Sequence, residues 1–198
     1  IHKENKILKE ENIRLKKKKF NVKFLTNQNN NLNKIIEKNS DTNNDFILAK
    51  VILDKNSPYL KSIVINKGTN VGITKGMPVL EKNNLVGRIV ETNYLSSRIL
   101  LLNDLNSRIP VTLGKDSSQG ILAGIGSNYP TIEYLPEDYI PSDGENVFTS
   151  GKDGIFSSGI PVGAVQKIGK NVNVKLFSDP NQLAYVTVQL IEIEDKNF

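Results

Sequence analysis

From Phe46 to the C-terminus the apolar residues come in short runs closed off by Gly, Pro, Asn, Asp and Ser, and no long helical period interrupts them. This pattern constrains the fold more than any other feature, because short runs divided by turn formers bury a core only as many short strands. Candidate strands are Ile63–Ile65, Arg88–Val90, Ile99–Leu102, Ile109–Leu113, Gly120–Ile125 and Thr131–Leu135. Asn83-Asn84, between Met77–Glu81 and Leu85–Thr92, predicts a hairpin turn because Asn tolerates positive φ, and Gly169-Lys170-Asn171 predicts another. Val172, Val174 and Leu176 share one face of a strand, as do Val186, Val188 and Leu190. With strands at roughly 8–12-residue spacing, residues 46–198 read as two small β-barrels more readily than one, their boundary unassigned and a discontinuous division allowed.

The first nineteen residues follow another period, with Glu4-Asn5-Lys6-Ile7-Leu8-Lys9 echoed seven positions later by Glu11-Asn12-Ile13-Arg14-Leu15-Lys16. With Asn5 and Asn12 at heptad position a, Ile1, Leu8, Leu15 and Val22 occupy d, and Glu4 and Glu11 at g face Lys9 and Lys16 at e of a parallel partner. Asn at a costs stability but fixes register in a two-stranded coil, so Asn5, Leu8, Asn12 and Leu15 are the expected dimer contacts. The competing reading is a solitary solvated helix, which the few heptads and the off-seam Ile7 and Ile13 favour. Past Leu15 the like-charged run Lys16–Lys19 breaks the pairing, and the seam is expected to fray there. Residues 1–38 therefore read as a helical stalk and residues 39–45, NSDTNND, as a linker.

The formal charge of +5 is unevenly placed, eleven Lys/Arg against four Asp/Glu over residues 1–38 and fifteen against seventeen in the remainder. The basic character belongs to the stalk, and the β region, slightly acidic, is a poor candidate for nucleic acid. Tyr129, Tyr134 and Tyr139 stand beside Glu133, Glu137 and Asp138, the wrong sign for a nucleic-acid barrel, and are candidates instead for a partner-facing rim. No run approaches the roughly 18 apolar residues of a membrane helix. Because the chain begins at Ile1 without an initiator methionine, an upstream signal or membrane anchor is expected.

Chemistry is narrowly bounded. There is no cysteine, and the one histidine, His2, lies in the stalk, so thiolate nucleophiles, His/Cys metal sites and a Ser-His pair in the β region are excluded. No serine is followed three positions later by lysine. Gly163–Lys170 has one residue too many for a phosphate-binding loop, and Gly124-Ile-Gly126 lacks the third glycine of a dinucleotide fingerprint. No cofactor and no metal is expected. Paired carboxylates remain at Glu137/Asp138, Asp143/Glu145 and Glu192/Glu194, and solvated turns and a wet strand face account for them. Gly151, Gly154, Gly159 and Gly163 with Pro161 read as a loop that shapes barrel corners through positive φ and close backbone approach.

Three blocks resemble the rod-shape-determining MreC family. Ser62–Val79 with Gly87 carries Gly68, Gly72, Gly76 and Pro78, and Leu101–Val111 carries Asp104, Ser107 and Pro110. The stretch from Thr149-Ser150-Gly151 to Pro161-Val162-Gly163 carries Gly151, Gly154, Phe156 and Gly159, with Ser157 standing where the family commonly has proline. The resemblance implies a mainly β fold behind a coiled-coil stalk, its two small barrels arranged like those of trypsin-like proteases without their catalytic residues. It further implies an upstream helix in the inner membrane, with this region in the periplasm, or extracellular where the cell has one membrane. The implied role is a non-enzymatic scaffold of cell elongation that forms a homodimer or filament and works with MreD, the actin-like MreB, RodA and an elongation-specific penicillin-binding transpeptidase. Two other readings stay open on the residues alone: a degenerate protease-like or carboxylate-dependent wall hydrolase, and a glycan-binding barrel.

Overall fold

The computed structural model describes residues 9–19, 21–23, 25–26, 46–52, 61–114, 117–168 and 171–190. The chain divides into two compact units, Ile1–Asn43 and Asn44–Phe198.

The described residues of the first unit are helical. Glu11 and Arg14, one turn apart, approach to 3.8 Å, and the Thr26 hydroxyl donates to the Val22 carbonyl at 2.8 Å, as a helical side chain does to the preceding turn. Ile13, Leu15, Val22 and Leu25 are all exposed. Residues 21–23 and 25–26, beyond the lysine run, are helical as well. Asn12 and Leu15 lie in it, whereas Asn5, Leu8 and the linker 39–45 fall outside the described residues.

The second unit holds twelve strands in two closed barrels whose bonded neighbours are all antiparallel. The first barrel is built from β1 (Phe46–Ile52), β2 (Ser62–Ile65), β3 (Pro78–Glu81), β4 (Asn84–Thr92), β5 (Ser97–Leu101) and β12 (Tyr185–Gln189). Its order around the barrel is β1-β12-β3-β4-β5-β2, so the last strand closes it by lying between the first and third. The second barrel is continuous in the chain: β6 (Arg108–Leu113), β7 (Ser118–Ala123), β8 (Thr131–Glu133), β9 (Asn146–Thr149), β10 (Pro161–Ile168) and β11 (Asn171–Leu176), ordered β10-β11-β8-β7-β6-β9.

Alternation along the strands separates two cores. Ile63, Ile65, Val79, Val86, Ile89, Ile99, Val186 and Val188 point into the first barrel, and Ile109, Val111, Leu113, Leu122, Val147, Val165 and Val174 into the second. Val172 and Leu176 join the second core and Leu190 the first, as the alternating pattern requires. The β3–β4 hairpin serves both. Val79 and Val86 face the first core, while their neighbours Leu80 and Leu85, paired across the hairpin, turn to the opposite face and lie in the second core with Leu102. The outer face of one hairpin is thereby an inner wall for the other barrel.

Three strands stop earlier than expected, and the hairpin turn shifts by one residue. The β3–β4 turn is Lys82-Asn83, at φ 50 and 70, with Asn84 already paired to Glu81; both central positions take the left-handed conformation that suits a two-residue hairpin. β8 stops at Glu133 because Tyr134 adopts φ 60. β7 stops at Ala123, before Gly124 passes under a neighbouring carbonyl, and β5 stops at Leu101, where Leu102 turns toward the second core. β10 and β11 pair as far as Ile168 opposite Asn171, and Gly169-Lys170 lie outside the described residues.

Candidate interaction surface at the barrel junction

The chain passes from the first barrel to the second through the segment from Leu102 to Ser107, and that segment is hydrogen-bonded to both. Asp104 is fully buried, its Oδ2 accepting the Lys61 N–H at 2.7 Å and its Oδ1 the Asn106 N–H at 2.8 Å. The Asp104 N–H donates to Leu101 and the Ser107 N–H donates back to Asp104, closing two successive turns. From the second barrel, Gly124 donates to the Ser107 carbonyl and Gly126 to that of Asn103. A Cβ on Gly124 would stand 1.8 Å from the Asp104 carbonyl oxygen, so only glycine permits this approach. A carboxylate without a neighbouring cation is here a cap for backbone donors.

The loop between β9 and β10 is likewise architectural. Thr149 accepts the Ile160 N–H at 3.0 Å through its hydroxyl oxygen, which donates to the Ser157 carbonyl at 2.6 Å. Asp153 accepts the amides of Ile155 and Phe156, and Phe156 is buried in the second core. Gly151, Gly154 and Gly159 take positive φ, as Gly72 and Gly76 do in the first barrel. Gly68, Gly87 and Gly163 instead lie where a Cβ would meet a backbone carbonyl oxygen at 2.0, 2.1 and 2.4 Å. Pro78 begins β3, Pro110 lies within β6, and Pro161 begins β10, where the register with β9 shifts.

Of the candidate carboxylate pairs, Asp143 and Glu145 hold structure together. Glu145 accepts the Tyr139 hydroxyl at 2.6 Å and the Ser142 N–H at 2.8 Å, and Asp143 accepts the Lys167 N–H at 3.1 Å. Glu137 and Asp138 sit exposed in a turn, and Glu192 and Glu194 fall outside the described residues. Among the described residues no group of His, Cys, Asp or Glu is placed to hold a metal ion. No helix among them is long and apolar enough to cross a membrane.

What the junction offers is surface. Leu105 is 57% exposed on the crossing segment and lies over Gly126, next to which Ile125 is 45% exposed, and Tyr129 (38%) stands further along the same β7–β8 connection. Their backbone is anchored: Asn173 Nδ2 donates to the Tyr129 carbonyl, and Arg108 donates to the Leu105 and Ser107 carbonyls. The three tyrosines expected to form one rim therefore divide. Tyr129 stands on the β7–β8 connection and Tyr134 stands out on the next loop, whereas Tyr139 is half-buried against the second core with its hydroxyl on Glu145. Leu105 and Ile125 escaped the sequence reading; the available signal was a large apolar residue set among Asn, Asp, Gly and Ser.

The family model described as "Rod shape-determining protein MreC, barrel core" matches residues 51–189. The chain is 32% identical over 96% of its length to the cell shape-determining protein MreC of Caulobacter vibrioides, and 31% identical over 95% to that of Cereibacter sphaeroides. It spans 55% and 63% of those two relatives. A solved MreC structure superposes with a TM-score of 0.75 at 26% identity, covering 84% of this chain and 99% of that one. The MreC of a solved complex between Penicillin-Binding Protein (PBP2) and MreC from Helicobacter pylori shares the fold at a TM-score of 0.59 and 17% identity, over 73% of this chain and 97% of that one. The family and both relatives are named for cell shape and not for a reaction.

Proposed function

The chain belongs to the rod shape-determining MreC family, and from that membership we propose that it is a non-enzymatic scaffold of bacterial cell elongation, presenting its barrel junction to a penicillin-binding transpeptidase. The observation that carries the reading is the Leu105, Ile125 and Tyr129 surface, held on a backbone bonded from both barrels. A preorganised apolar surface with polar flanks binds with little ordering cost, which is what a recruiting platform needs. The complex formed by the Helicobacter pylori relative supports the partner class.

On this reading an upstream helix anchors the protein in the inner membrane with the barrels in the periplasm, or outside the cell where there is one membrane. The stalk pairs two copies through Asn5, Leu8, Asn12 and Leu15 and adds avidity for a partner held in the same membrane. MreD, MreB and RodA complete the assembly. The test is a binding isotherm of the chain on the immobilised extracytoplasmic part of an elongation transpeptidase, run beside a peptidoglycan digestion. Saturable binding without release of muropeptides is expected, and turnover by the pure chain with no binding would overturn the proposal.

A further inference from the structure

The charge of the first unit is concentrated where its expected seam ends. Between Glu11 and Glu37 the sequence carries seven Lys/Arg and no Asp/Glu. Glu11 itself is engaged, 3.8 Å from Arg14. Lys16, Lys17, Lys18, Lys19 and Lys23 are all exposed, and none of them forms an ion pair among the described residues. Lys16–Lys19 lie on one unbroken stretch of helix, residues 9–19, and four consecutive residues at 3.6 per turn carry the charge right round it.

Apolar side chains stand among these cations. Ile13 is 57% and Leu25 60% exposed, and both fall outside the a and d positions of the heptad, so pairing of two copies leaves them uncovered as well. The stretch thus combines a ring of unpaired ammonium groups with apolar surface that nothing in the chain covers. Mutual repulsion of the lysines makes counter-charge from outside favourable.

We propose that this basic helical stretch docks on an anionic phospholipid surface, with Lys16–Lys19 at the headgroup phosphates and Ile13 and Leu25 where the headgroups meet the acyl chains. A folded acidic partner fixes its carboxylates on one side and leaves part of a charged ring unmatched. Lipid headgroups diffuse to the charge instead, and the four-carbon stem of lysine lets an ammonium on the far side of the helix bend toward them. A soluble polyanion neutralises the lysines but offers nothing to the apolar side chains, whereas a bilayer meets both. The attraction of anionic lipid for a polybasic segment falls off within a screening length, so the contact is close and sensitive to salt. The inference goes beyond the scaffold role: it needs no upstream helix, and the Leu105, Ile125 and Tyr129 surface has no part in it.

Flotation of the whole chain with lipid vesicles tests it. At ~0.15 M salt the chain should float with vesicles of phosphatidylcholine containing phosphatidylglycerol and stay behind with phosphatidylcholine alone, and about 1 M salt, where the screening length falls to ~3 Å, should release it. Lys16→Gln, Lys17→Gln, Lys18→Gln and Lys19→Gln together keep helix propensity and should lower the partition about tenfold or more at unchanged barrel melting temperature. Ile13→Ser with Leu25→Ser should lower it about threefold or more while leaving the affinity for sodium polyphosphate as it was. Failure to float with the anionic vesicles, equal flotation with both lipids, or a lysine variant that floats as well as the wild type would overturn the proposal. An Ile13, Leu25 variant that floats like the wild type would overturn it too, and would mark the stretch as a site for polyanions in general.

Discussion

The two barrels share strand number and closure but not independence. The first is assembled from both ends of the β region, and every side chain in its core comes from its own segments. The second is inserted between β5 and β12, and its core takes Leu80, Leu85 and Leu102, with Phe46 at its margin, from outside the stretch that forms its strands. The core of the outer barrel draws on its own segments alone, whereas that of the inserted barrel is completed by its host.

The largest blow to this asymmetry is Leu85→Ala, a fully buried side chain that belongs to a strand of one barrel and the core of the other. A loss of about 2–5 kcal/mol in denaturant unfolding is expected. Hydrogen exchange should show protection falling first in β6, β7 and β9 while β2 and β5 keep theirs, and uniform loss in both barrels would contradict the one-way dependence. Gly124→Ala is predicted to cost about 1–3 kcal/mol, because the added methyl meets the Asp104 carbonyl and the junction must shift. Smaller still is Gly154→Ala, at φ 68 with open space around its Cβ, where only backbone strain of about 1 kcal/mol is at stake. A thermal melt ranks the last two, and an equal or greater cost at Gly154 would mean that the junction yields more readily than its bonds imply.

Short strands were legible because each carries its own signal, a β-branched run bounded by turn formers, and most candidate runs coincide with observed strands to within a residue or two. Turn position was less so: Asn83-Asn84 announced the hairpin, but register placed Lys82 and Asn83 at its centre, a choice made by the Leu80–Leu85 pairing across it. The insertion of one barrel in the other was allowed by the pattern without being specified by it, since β12 pairs with β1 and β3 across most of the β region and local propensity says nothing of such distant contacts. Among the site residues the glycines were readable by type, while the division of Tyr139 from Tyr129 and Tyr134 depends on Glu145 reaching its hydroxyl, which no spacing reveals.

On the proposed function, an exposed surface on a junction bonded to both barrels does the protein's work by binding. Its most direct test is the affinity of the whole chain for the extracytoplasmic part of an elongation transpeptidase, compared with that of a Leu105→Glu, Ile125→Glu variant. About a tenfold or greater loss is expected in the variant at unchanged melting temperature. Equal affinities for the two proteins would contradict it.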